Sequence, residues 1–176
     1  MADHITRYDR MPIPPVETNT EYVEAGVLRI GIEYRELTDE LVAAIRQTLQ
    51  AATGNEEGPI ENLDDDGVSL HVFAEQDGEM REHLRFDCFR EDPHYHYVNW
   101  TAHSNEVLRI DPVADGDPVD WALARLRSRL PQMLVRAGAV TVVPRIDTAL
   151  LDAAMPLVTE AAYRLRFPRN HATSTP

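Results

Sequence analysis

His94 and His96 flank Tyr95 in a segment that reads as a β-strand, and Asp87 precedes them by seven residues. On a strand, residues two apart project to the same side, so both imidazoles reach a common point without backbone distortion. An aspartate on the neighbouring strand would complete a two-histidine, one-carboxylate set for a divalent metal, with positions left open for water or substrate. His83 or His103 would be the fourth ligand or a proton shuttle. A set drawn from one flat sheet face also needs an element to close over it.

The surrounding stretch, Phe86–Trp100, holds five of the chain's twelve Phe, Tyr and Trp residues and its only cysteine, Cys88. Arg85, Tyr95, Tyr97, Asn99 and Trp100 combine apolar bodies with polar tips, the chemistry of small-molecule sites and of protein contacts. An aromatic sheet face is rarely left bare. A second copy in a C2 homodimer, another subunit of a larger complex, or a small ligand roofed by the N-terminal arm would each cover it. The leading reading is therefore a soluble acidic binding or assembly domain whose His/Tyr/Trp-rich sheet face is the ligand or subunit contact surface. The alternative is a small metal-dependent enzyme, hydrolytic or oxygen-using, built on His94, His96 and Asp87. Neither reading names a reaction or a substrate.

The elements that would position these residues follow from patterning. Met11–Pro15 contains three prolines that enforce extended backbone, so residues 1–20 read as an extended N-terminal arm. Residues 21–168 read as a single α+β domain, and residues 169–176 as a polar tail. Leu28, Ile30, Ile32 and Tyr34 alternate with Arg29, Glu33 and Arg35 in a half-buried strand. Thr38 then caps an expected helix with Leu41, Val42, Ile45 and Leu49 on its apolar side, followed by an acidic loop over residues 54–67. Four strand-like runs come next, 68–75, 80–89, 94–101 and 106–110, with Asp77-Gly78 as a hairpin signal. The expectation is an antiparallel meander of four to five strands with two to three helices layered on one face. Asp117-Pro118 opens a helix that Pro131 kinks or divides and Gly138 ends, Thr141–Pro144 adds a short strand, and Asp147 opens the last helix, to about Leu165.

A four-residue turn at Arg90–Pro93 would pair Phe89 with His94 and set Asp87 opposite His96. Leu84, Phe86, Cys88, Tyr95 and Tyr97 then share one face, with His83, Arg85, Asp87, His94, His96 and Trp100 on the other. A one-residue slip would exchange the faces.

Composition removes other classes. The net charge is −13, with 30 acids against 17 bases, the opposite of what a nucleic-acid binder presents. The basic run Arg125, Arg127, Arg129 and Arg136 reads as the solvated side of an amphipathic helix. No apolar run approaches the ~20 residues that span a bilayer, and one cysteine excludes a disulfide framework. The expected location is cytoplasmic. Asn62-x-Asp64-x-Asp66-Gly67 imitates the start of a calcium loop, but its twelfth position is Phe73 rather than a bidentate glutamate. Glycine-rich phosphate loops and Gly-x-Ser-x-Gly are absent.

Overall fold

The computed structural model describes residues 5–8, 11–38, 43 and 65–167. Among them, seven strands form one antiparallel sheet: β1 (Ile5–Tyr8), β2 (Thr20–Ala25), β3 (Leu28–Leu37), β4 (Asp65–Gln76), β5 (Glu79–Phe89), β6 (His94–Asn99) and β7 (Ser104–Arg109). Their spatial order is β1-β7-β6-β5-β4-β3-β2. Four helices follow: α1 (Pro112–Asp115), α2 (Pro118–Ser128), α3 (Leu130–Arg136) and α4 (Thr148–Arg166). The α+β meander is as expected, and both counts exceed the expectation.

The extra strands lie at the two sheet edges. β1 belongs to the stretch read as an arm and pairs with β7, Ile5 facing Leu108. β2 folds onto β3 through Gly26. Edge strands need one hydrogen-bonded neighbour only, and β2 is half-exposed along most of its length. Neither shows the alternation that betrays a strand buried on one face. The helix count rises because Pro131 divides the predicted helix at Arg129 and because Asp111 caps an additional turn. Thr141–Pro144 is not a strand: Val143–Arg145 is a 3-10 turn, with Pro144 fixing the helical φ. The expected helix after Thr38, the acidic loop up to residue 64 and the tail from 168 lie outside the described residues. The strand after that loop begins at Asp65, three residues before the expected start.

One sheet face carries Leu28, Ile30 and Ile32 from β3, Leu70 and Val72 from β4, and Leu84 and Phe86 from β5, all fully buried. Val119, Leu123, Leu126, Leu130 and Leu134 pack on them, as do Met155, Val158 and Ala162 of α4. Each of these side chains larger than alanine withdraws enough apolar surface from water to contribute about 1.5–3 kcal/mol. No helix of the described residues is long and apolar enough to cross a membrane.

The end of α3 ties the helical layer to β6. Gly138 has φ +80°, Gly138 N–H donates to the Val135 carbonyl and Ala139 N–H to that of Leu134, the Schellman arrangement that glycine permits. A Cβ at Gly138 would stand 2.7 Å from the Asn99 amide. Gly138→Ala is expected to lower stability by more than the ~1–2 kcal/mol that left-handed backbone alone costs an L-residue. Urea denaturation checks this, and an unchanged midpoint would refute the close approach.

Candidate functional site

The face opposite the helices is polar and yet buried. Antiparallel register lines up two rows across it: Glu33, Ser69, Asp87 and His94 in one, and Gly31, His71, Arg85 and His96 in the other. Glu33, Ser69, His71, Arg85, Asp87 and His96 are all less than a tenth exposed. Charges in such surroundings persist only if paired, and here they are. Arg85 donates to both oxygens of Glu82 at 2.9 and 2.7 Å. His71 bridges Glu82 (2.6 Å) and Glu33 (3.2 Å) with its two ring nitrogens. Arg35 lies 3.4 Å from Glu33.

Part of the cover comes from the N-terminal segment. The Ile13 carbonyl accepts from Arg85 at 2.5 Å and from Arg35 at 3.1 Å, and the Pro14 carbonyl accepts from Arg35 as well. Val16 N–H donates to Glu33. With no side chain at position 31, the nearest atoms to that site are those of Thr20, Tyr22 and Phe73.

Glu82 reaches this face only through a bulge. β4–β5 pairing runs Val72↔Leu84 and then Phe73↔Glu82, which leaves His83 as the extra residue of β5. A bulge breaks the two-residue period, so Glu82 joins Arg85 and Asp87 instead of the apolar face. His83 is sealed in the bulge, and burial lowers its pKa. His103 is exposed in the β6–β7 turn with φ +51°. The cluster that can hold a metal among the described residues is Asp87, His94 and His96. The fourth-ligand expectation for His83 or His103 is therefore corrected.

The predicted β5–β6 register is also corrected. Asp87 faces His94, Arg85 faces His96, and Phe86 faces Tyr95, an offset of two residues from the expected pairing. Phe89 stays paired to β4 opposite Gly67, and Arg90 N–H donates to the Asp66 carbonyl. The Asp65 carboxylate accepts from the backbone N–H groups of Arg90, Glu91 and Asp92. These bonds hold the loop against β4 and widen the turn. An even offset preserves the faces, so Asp87, His94 and His96 still converge.

The histidine Nε2 atoms lie 3.4 Å (His94) and 3.1 Å (His96) from Asp87 Oδ2, and one ligand atom from each of the three residues falls within 4.8 Å of the others. His94 Nδ1 lies 2.6 Å from the Asp92 carbonyl, and His96 Nδ1 lies 2.9 Å from Asn105 Oδ1. Ser69 Oγ donates to Asp87 Oδ1 at 2.5 Å. A carbonyl only accepts, so His94 keeps its Nδ1 proton, and its Nε2 faces an acceptor-only carboxylate. That contact is attractive only with a cation between the two atoms, either a second proton or a metal ion. Burial opposes charge here. Against it, His94, His96 and Arg85 hold the Asp87 carboxyl well below the usual range, and Asp87 raises His94. For His96 burial prevails and its pKa falls.

The ligand and interface candidates separate. Arg85 is buried and paired with Glu82 and the Ile13 carbonyl. Trp100 follows β6 and donates its indole N–H to the Glu82 carbonyl at 2.7 Å. Asn99 accepts from Ala102 N–H in the β6–β7 turn. Tyr95 and Tyr97 face the helices. Sequence reading missed Ser69, His71, Glu82 and Asn105. Ser69 and His71 alternate with Val68, Leu70 and Val72 and were legible as a polar row, whereas Glu82 was hidden by the bulge.

Residues 22–162 match a family model described as Domain of unknown function (DUF7700), a span that includes every residue of the cluster. No curated protein and no solved structure matches the chain.

The charged network makes stability depend on pH in both directions. Burial alone would raise Glu82, but Arg85 and His71 hold its carboxyl down at about 2. Its contribution is complete above the unfolded value of about 4.5 and is lost as pH falls toward 2. Burial alone would lower His71, but Glu33 and Glu82 push it up. Its contribution is complete below about 6.5 and is lost as pH rises through the raised value. Urea midpoints of chelator-treated protein should therefore fall on both sides of the window from about pH 4.5 to 6.5. Glu82→Gln should shrink the acid limb, which Asp87 and Glu33 share, and His71→Gln the alkaline limb, which His94 shares. An alkaline limb of undiminished size in His71→Gln would contradict a charged His71.

Proposed function

The chain belongs to the DUF7700 family, and from its geometry we propose that it binds one divalent transition-metal ion through Asp87, His94 and His96. One observation carries this: two imidazole nitrogens converge on one carboxylate oxygen, while Asp92 and Asn105 hold the opposite ring nitrogens. Such outer partners fix the tautomer in which Nε2 is free to coordinate. With metal–ligand bonds of about 2.1 Å, separations of 3.1 and 3.4 Å subtend angles of about 95–110°, between octahedral and tetrahedral values. Nitrogen and oxygen donors without sulfur suit zinc, iron, manganese or cobalt. Three protein ligands leave positions for water or substrate, and His94, the most exposed of the three, marks the side from which they enter. A metal there would polarise a bound oxygen or lower the pKa of a bound water. Hydrolytic or oxygen-using chemistry is the activity class this supports.

Metal binding stands ahead of the contact-surface reading because Arg85, Asp87 and His96 are already buried within one chain. A face-to-face homodimer is not required to cover them.

Protein purified without an affinity tag and titrated with Zn²⁺ or Co²⁺ should bind one equivalent. A hundredfold excess of metal over Kd should add about 2.7 kcal/mol of stability. His94→Ala/His96→Ala should abolish both effects, and stoichiometric binding that survives this double variant would sink the proposal. Ser69→Ala and Asn105→Ala should fold normally and bind about 10–100-fold more weakly, because they orient ligands without being ligands. Calorimetry reads both affinities.

A further inference from the structure

The other side of strand β6 carries a second site. Tyr95 and Tyr97 alternate with the histidines and project toward the helices, where they and Trp121 line a cleft of about 310 Å³ edged by Arg125, Arg129 and Arg136. The aromatic groups are mutually ordered: Tyr95 lies 5.1 Å from Trp121 and 5.5 Å from Tyr97, centroid to centroid. Arg125 lies over Trp121 at 4.7 Å, and Arg136 over Tyr97 at 4.4 Å.

The charge arrangement is unlike the rest of the molecule. In a chain of net charge −13, described arginines elsewhere meet a carboxylate, a carbonyl or a hydroxyl. Arg125 and Arg129 meet none among the described residues, and both edge this cleft. Arg136 is shared with Glu106 at 3.2 Å. The Trp121 indole N–H is buried and also lacks an acceptor. Unpaired guanidinium forks match pairs of oxygens on carboxylates and phosphates, and the clustered, mutually tilted aromatic rings match an apolar body. The volume is that of a small-molecule site at its lower end.

We propose that this cleft binds a small anion, a carboxylate or phosphate attached to an aromatic or similarly flat apolar group. Arg125 and Arg129 take the charge, and Tyr95, Tyr97 and Trp121 take the body. The site is separate from the metal cluster, which lies across the sheet.

Chelator-treated protein removes any metal that would itself attract oxyanions. Phenyl phosphate and benzoate are titrated by calorimetry and tryptophan fluorescence, with inorganic phosphate and benzyl alcohol as partial probes. One-to-one saturable binding of either aromatic anion is expected, and whichever binds tighter assigns the head group. Arg129→Gln and Arg125→Gln should each weaken it about tenfold or more, the worth of one charge-assisted hydrogen bond. Arg125 projects from α2 and Arg129 stands at the break between α2 and α3; neither side chain makes a hydrogen bond or ion pair among the described residues, so their variants should unfold close to the wild-type urea concentration. Arg127→Gln, whose native partner is the Thr159 hydroxyl, should change nothing. Binding should persist in His94→Ala/His96→Ala, which separates this site from the metal proposal. The proposal is overturned by no saturable binding of either aromatic anion, by inorganic phosphate binding as tightly as phenyl phosphate, or by equal weakening in Arg127→Gln. A short single-stranded oligonucleotide that binds there more tightly than phenyl phosphate would overturn it as well.

Discussion

Three carboxylates, those of Glu33, Glu82 and Asp87, are buried on one sheet face, and the rest of that face follows from keeping them charged. An isolated carboxylate in such surroundings would take up a proton. Arg35, Arg85 and His71 prevent this by lying against the acids. Their remaining donors must then be satisfied, which draws the Ile13 and Pro14 carbonyls onto the sheet. The N-terminal segment is thus held by what the arginines lack after pairing with glutamate. Removing either sign of charge would strand the other, so this network constrains the face more than it stabilises it.

Asp87 differs from the two glutamates in its neighbours. Glu33 and Glu82 meet permanent or readily charged cations, whereas Asp87 Oδ2 meets two imidazole nitrogens whose rings are held from behind. One more positive charge is required there, and a proton or a metal ion can supply it. The same strand has a second use. His94 and His96 face the charged side, Tyr95 and Tyr97 face the helices, and six residues of β6 therefore serve two unlike environments. The pleat makes this possible, because successive side chains leave opposite faces.

Much of the fold was legible. Alternation in β3 and in the runs that became β4 to β7, the Asp-Pro helix start at 117–118, and the divided helix at Pro131 all express local rules that tertiary contacts did not override. β1 and β2 were hidden because edge strands need not alternate. In the site, the pair His94 and His96 stood out by spacing, and Asp87 by its place on the preceding strand. His83 and His103 misled because type and proximity in sequence suggested ligands, whereas a bulge and a turn took them elsewhere. Glu82 is the clearest case of hidden chemistry. By simple alternation from Leu84 it belongs in the apolar core, and one extra residue in β5 moves it to the polar face.

By itself, the sequence determined which residues alternate, where helices start, and that two histidines and an aspartate would share a face. Those properties are local, fixed by the periods of strand and helix and by proline and aspartate at helix starts. Tertiary structure alone decided the pairing of β5 with β6, the bulge at His83, the cover at Ile13 and Pro14, and the meeting of Arg125 and Arg129 with Tyr95 and Tyr97. Each depends on contacts between segments far apart in the chain. The Asp65 carboxylate shows why: by holding the backbone of residues 90–92 it widens a turn that, read locally, had a shorter and equally sound solution.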